Sequence, residues 1–276
     1  MEIKEYKKDL ETFYTDYSSN FRLDSIKGII VSVFGAGEHS GKETFASNLS
    51  LALSEKLKVL YLSSKNTIPP IKKINISDDF FAFIETKYQN IKALSFSPKS
   101  SFLSMDKMEE MLLKLPSSVK ENFNFFIHSV KDPFGFPDRY ILLNNSINII
   151  VAEIDSNIFS NIFQIIEKVS FLPRIPKEIF LVLNKCNTQF LGFDYYQRVL
   201  SQVNELKIPI KLYFLGSIPY DELRCRVATE SGLLLGQIYN DSPIWGSFKF
   251  IAKKLINYSI KISRANTKEI MISMNR

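Results

Sequence analysis

Between Ile29 and Leu62 the chain reads IIVSVFGAGEHSGKETFASNLSLALSEKLKVLYL. An apolar run, a glycine-bearing loop, the pair Gly41-Lys42, an amphipathic stretch and a second apolar run follow in that order. A buried strand that turns through such a loop into a helix and returns as another buried strand is the opening unit of a parallel α/β sheet. The loop also carries chemistry. In a phosphate-binding turn of the form G-x-x-x-x-G-K-[ST], backbone N–H groups and the helix N-terminus hold phosphate oxygens. The lysine reaches the terminal phosphates and the hydroxyl coordinates magnesium. Gly41 and Lys42 fill the last glycine and the lysine, but Ala36 stands where the first glycine belongs. Glu43 stands in the hydroxyl position, with Thr44 one place late. Only ten glycines occur in 276 residues, and three of them, Gly35, Gly37 and Gly41, lie in this loop.

The alternation continues down the chain. Apolar runs predict strands at Ile29–Phe34, Val59–Leu62, Ala93–Phe96, Phe123–Ser129, Ile147–Ala152, Ile179–Leu183 and Ile210–Leu215. Helical patterns fall at Phe45–Leu57, Met105–Leu115, Ile158–Val169, Phe193–Leu206 and Trp245–Ile262. Continuous apolar strands are expected where helices cover both faces of a sheet. The expected fold class is therefore α/β, a doubly wound, mostly parallel sheet of about seven strands. It spans residues 28–264, after an N-terminal helical extension over 1–27 (Ile3, Tyr6, Leu10, Phe13, Tyr14 and Tyr17 at helical spacing) and before a basic C-terminal tail over 265–276.

The net charge of +6 is concentrated at the end of the chain, where residues 251–276 hold six basic side chains against Glu269. A nearly neutral body argues against a broad nucleic-acid groove, and no specific nucleic acid is expected. Cys186 and Cys225 match no metal-ligand spacing and are expected as small buried or half-buried side chains in a reducing compartment. The N-terminus lacks the apolar stretch of a signal peptide, and no run is long enough to span a bilayer. A cytoplasmic protein is the expectation.

Beyond the loop, Ala46-Ser47-Asn48-Leu49-Ser50-Leu51-Ala52-Leu53-Ser54 is similar to the A-x-N-L-A-x-A-L-A helix of the MinD/ParA family of P-loop ATPases, whose loop reads K-G-G-x-G-K-T-T. Leu181-Val182-Leu183-Asn184-Lys185 resembles the family's strand end whose Asn contacts adenine. Ser217-Ile218-Pro219-Tyr220-Asp221, running on through Ala228 to Gly232, resembles the loop and helix that close over the base. The resemblance covers about residues 28–264 and implies ATP or ADP as ligand, with Gly37, Ser40, Gly41, Lys42, Glu43, Thr44, Asn184 and Pro219 as the binding positions.

It also implies what is missing. The family's signature lysine falls on Gly37, the carboxylate ending the second strand on Ser63, and the magnesium-associated aspartate of the Walker B strand on Ser129. Of five positions serving metal-assisted phosphoryl transfer only Lys42 is kept. Magnesium is not expected, and the chain reads as a degenerate member, similar in layout over Ile91–Phe126 to the pilus-localisation TadZ/CpaE group. The implied role is a pseudo-ATPase scaffold that positions or assembles a pilus, secretion, flagellar or division apparatus through protein partners, as a monomer or homodimer.

Other readings of the same residues stay open. Glu43 or Thr44 could serve magnesium in an unorthodox active ATPase. Gly35-x-Gly37-x-x-x-Gly41 with Ser63, Ser64 and Lys65 could instead form an NADP site of an oxidoreductase. Asn184-Lys185-Cys186-Asn187 approximates a guanine-reading motif with Asn187 in place of its aspartate. Of the two histidines, His128 is expected as a hydrogen-bonded strand-end residue and His39 as a surface loop residue, with a metal pair as the rival reading. Phe248, Ile251, Leu255, Tyr258 and Ile262 share one face of the last helix, with Lys254 and Lys261 on a solvated basic side. Ile270-Met271-Ile272-Ser273-Met274 after that basic stretch would give weak peripheral membrane contact.

Overall fold

The computed structural model describes residues 26–63, 70–73, 81–96, 121–135, 138–142, 146–171 and 178–274. The N-terminal extension up to residue 25, the helix expected at Met105–Leu115, Ser64 and Lys65 lie outside the described residues.

Strand β1 (Ile29–Ala36) is the hub. It pairs in parallel with β6 (Phe125–Ser129) on one side and β7 (Ile147–Glu153) on the other. Beyond β6 lie β2 (Val59–Leu62) and β5 (Ile91–Phe96), and beyond β7 lie β8 (Glu178–Asn184) and β9 (Lys211–Ser217), all parallel. Two further strands, β3 (Pro70–Lys73) and β4 (Phe81–Thr86), extend the β5 edge in antiparallel sense. The order of the nine-stranded sheet is β3-β4-β5-β2-β6-β1-β7-β8-β9. All seven expected strands are present. The four-residue link Lys87–Asn90 is short enough only for a hairpin, which sets β4 antiparallel to β5.

Helices α1 (Lys42–Ser54) and α7 (Pro243–Met274) cover one sheet face, and α3 (Ile158–Phe171) and α4 (Gln189–Glu205) the other. Three short helices, α2 (Asp138–Leu142), α5 (Glu222–Glu230) and α6 (Leu235–Ile238), lie in the connections. Along β1 the side chains alternate between the layers. Val31 and Val33 join Phe45, Leu49, Phe125 and Phe248 in one core, while Phe34 joins Ile150, Ile162 and Leu181 in the other. Each such fully buried side chain contributes about 1.5–3 kcal/mol relative to exposure. Two-sided burial is why the strands read as unbroken apolar runs.

Two details differ from the sequence-based expectation. Helix α7 continues without a break to Met274, so the described part of the expected tail, residues 265–274, continues that helix. Lys254 is not on a solvated side: its Nζ donates to the carbonyls of Leu215 (2.9 Å) and Phe214 (3.4 Å) and lies 4.7 Å from the Phe250 ring centroid. Those carbonyls adjoin the register shift between β8 and β9, where the ammonium takes the place of a ladder partner.

Candidate nucleotide site

The sheet order places the loop after β1 at a topological switch point, because β1 is flanked by strands whose connections run to opposite edges. Crevices at the C-terminal ends of strands at such points are where open α/β sheets bind ligands. Gly41 is the N-cap of α1 at φ 77° and ψ 21°, a left-handed conformation that a side chain resists. Its carbonyl accepts the first helical bond from Phe45 N at 2.8 Å, so the N–H groups of Lys42, Glu43 and Thr44 point out of the helix start. Gly37 is exposed at φ 92°, and Ser40 is buried beneath the loop.

Asn184 arrives from the end of β8. Its Nδ2 donates to the Ser40 carbonyl at 2.9 Å, which leaves Oδ1 without a donor among the described residues. Next to it, a cavity of about 240 Å³ opens between the strand ends and α5 to α7, lined among others by Gly41, Thr44, Phe45, Asn184, Pro219 and Phe248. Thus Gly41, Thr44, Asn184 and Pro219 of the expected set share one cavity. Gly37, Ser40, Lys42 and Glu43 sit on the loop beside it rather than in its wall.

The charged end of the loop is paired internally. Lys42 Nζ lies 3.5 Å from Glu43 Oε1, and Glu43 Oε2 accepts from the Ser63 hydroxyl at the end of β2. A carboxylate in the first turn of α1 satisfies the helix dipole that otherwise attracts a phosphate, an effect of about 0.3–1 kcal/mol. A phosphate brought within ~4 Å of it would meet repulsion of roughly 4 kcal/mol at an effective dielectric near 20. Ser129, at the end of β6, is buried with its Oγ unpartnered among the described residues.

His39 is exposed on the loop, whereas His128 is fully buried, its Nε2 2.9 Å from Asp138 Oδ1. Asp138 Oδ2 accepts from the amides of Lys131 (2.6 Å) and Asp132 (2.8 Å). Burial works against its charge, but His128 and the two amides prevail and hold the carboxyl below its ordinary range. Among the described residues no group of three or more His, Cys, Asp or Glu could hold a metal ion. Cys186 is buried and Cys225 half-buried, as expected. The contacts of Asp138 and Lys254 escaped the sequence reading because each joins groups in different elements, and no local spacing marks them. In α1, Asn48 Nδ2 donates to Thr44 O (2.9 Å) while its Oδ1 accepts from Leu235 N (2.8 Å), tying the loop helix to α6.

No family model and no curated protein matches the sequence. Solved structures do match in fold. A ParA family ATPase from Chlorobium tepidum TLS is 14% identical, with 83% of this chain and 98% of that one covered at a TM-score of 0.59. The MinC:MinD cell division protein complex of Aquifex aeolicus matches at 13% identity, 83% and 96% coverage and a TM-score of 0.61. An ATP complex of a single-residue variant of Cyanothece McdA matches at 16% identity, 83% and 97% coverage and a TM-score of 0.53.

A mostly parallel sheet with a Gly-Lys loop between its hub strand and the following helix makes this a P-loop NTPase fold. Within that class the chain has the MinD/ParA fold over most of its length. The NADP reading calls for β2 beside β1, and here β6 lies between them.

Proposed function

We propose that this chain is a pseudo-ATPase of the MinD/ParA type, which keeps a nucleotide site without turnover and uses its surfaces to position or assemble a larger cellular machine. One observation carries the reading: Glu43, in the place of the magnesium-binding hydroxyl, is bonded both to the loop lysine and to Ser63, itself in the place of a carboxylate. Phosphoryl transfer depends on metal, positioned water and charge neutralisation, and these residues supply only the last. ATP or ADP is the ligand class, bound by Gly41, Thr44, Asn184 and Pro219 with the loop beside them.

Protein partners are part of the proposal, supported by a fold neighbour whose structure is a MinC:MinD complex. The family's cross-dimer lysine is absent at Gly37, so the chain is proposed to be a monomer or a homodimer that forms without nucleotide. The machine is a pilus, secretion, flagellar or division apparatus, with TadZ/CpaE-like proteins as the analogy. No described helix is long and apolar enough to cross a membrane, and the end of α7 is proposed to give weak peripheral contact. The test is the distribution of a fluorescent fusion in the native cell. A scaffold that does not turn over ATP keeps its pattern when Lys42 is replaced by Ala. Dispersal of a folded K42A protein would overturn the proposal.

A further inference from the structure

Resting on the reading of the cavity as a nucleotide site, we infer that it takes a purine nucleoside with a short phosphate chain, a mono- or diphosphate without magnesium, and that Glu43 sets this choice. The two ends of the site differ in kind. At the cavity end, Phe45, Ile218 and Phe248 offer apolar walls for a flat ring, and Asn184 Oδ1 faces no donor among the described residues, which suits an exocyclic amine. Thr44 lines the same cavity beside Gly41, so the outward N–H groups of the first turn of α1 meet the phosphate nearest the sugar.

The other end is closed by the chain itself. Both oxygens of Glu43 are engaged, Oε1 by Lys42 and Oε2 by Ser63. A magnesium ion would have to displace the lysine ammonium to reach the carboxylate. A terminal phosphate would have to take Lys42 from Glu43 and then lie beside a negative charge. Each added phosphate therefore gains less here than in a loop with a neutral hydroxyl at this position, and magnesium has no ready ligand through which to compensate.

Isothermal titration calorimetry of the full chain with AMP, ADP and ATP, each with EDTA and with millimolar magnesium, tests this. The expected result is ADP binding about tenfold tighter than ATP, with the ADP Kd nearly the same in EDTA and magnesium. E43T is expected to reverse the ADP preference in magnesium and to make ATP binding magnesium-dependent. E43Q, which keeps the side-chain length and the bond to Ser63, is expected to narrow the gap without metal dependence, and circular dichroism melts confirm that both variants fold. ATP binding tighter than ADP only when magnesium is present, or an ADP-to-ATP ratio unchanged in both variants, would overturn the inference. So would absence of binding by all three nucleotides, an outcome that leaves the scaffold role standing because K42A localisation tests it independently.

Discussion

Asn184 Nδ2 donates to the Ser40 carbonyl across 2.9 Å, and this bond fastens the phosphate loop to the end of β8. The position proposed to contact the base is thereby also a clamp on the loop. A Cβ added to Gly41 would overlap the same nitrogen, and Gly41 has a φ of +77°.

G41A is accordingly expected to lose about 1–2 kcal/mol from the left-handed backbone alone, with a further loss from the displaced Asn184. The G41A/N184A double variant should lose the backbone strain and the clamp once each, and so less than the sum of the two single losses. Urea unfolding of the two single variants and the double measures this, and purely additive losses would show that the clamp does not exist.

The Asp138 carboxylate bridges buried His128 and two loop amides, and its ionised form is favoured in the folded chain. The stability it contributes is complete above the ordinary carboxyl range near 3.9, and is lost as pH falls through its lower folded value. D138A should cost about 1–3 kcal/mol at neutral pH, because it leaves buried donors unpaired. Its loss of stability on acidification should be shallower than that of the unaltered chain, as thermal melts from pH 6 to pH 3 would show.

Lys254 titrates in the opposite sense. Burial pulls its ammonium from the usual value down to about 8. Deprotonation is therefore easier in the folded chain, and stability should rise between about pH 8 and pH 10 by up to about 3 kcal/mol. Above pH 10 the trend should reverse. Tyr88, pushed up to about 12 mainly by burial, and Tyr258, raised by burial and by Glu178, favour the folded state while neutral and lose that advantage as pH climbs. K254M should flatten the rise between pH 8 and pH 10 and leave the fall above it, read from denaturant midpoints across the range.

The last twelve residues are expected to matter only for a surface. Co-sedimentation with anionic phospholipid vesicles should retain the full chain weakly and release a chain lacking residues 265–276, with retention falling as salt rises. Equal sedimentation of both forms would remove the tail from the account.

Much of this was legible in the chain because it is local. Val59–Leu62 and Ile179–Leu183 declare themselves as two-faced buried strands by composition alone, and Gly41-Lys42 marks the start of α1 by spacing. The antiparallel extension by β3 and β4 was not legible, since FAFIET carries no signal of antiparallel addition until β5 is placed beside it. Within the site, the types at positions 43 and 63 were readable, but their mutual bond joins residues twenty apart through the sheet and needs the strand order to be known. Lys254 misled for the same reason: its helix position looks solvent-facing, and only the irregular step between β8 and β9 gives its ammonium two carbonyls to reach.

On the proposed reading, the loop keeps its place in the fold without the chemistry of turnover. Steady-state phosphate release from ATP at millimolar magnesium tests it most directly, with the purified full chain compared against its K42A variant. Both are expected to release phosphate at the rate of the protein-free background. Robust turnover by the unaltered chain that K42A abolishes would contradict that reading and would make Glu43 or Thr44 a working magnesium ligand.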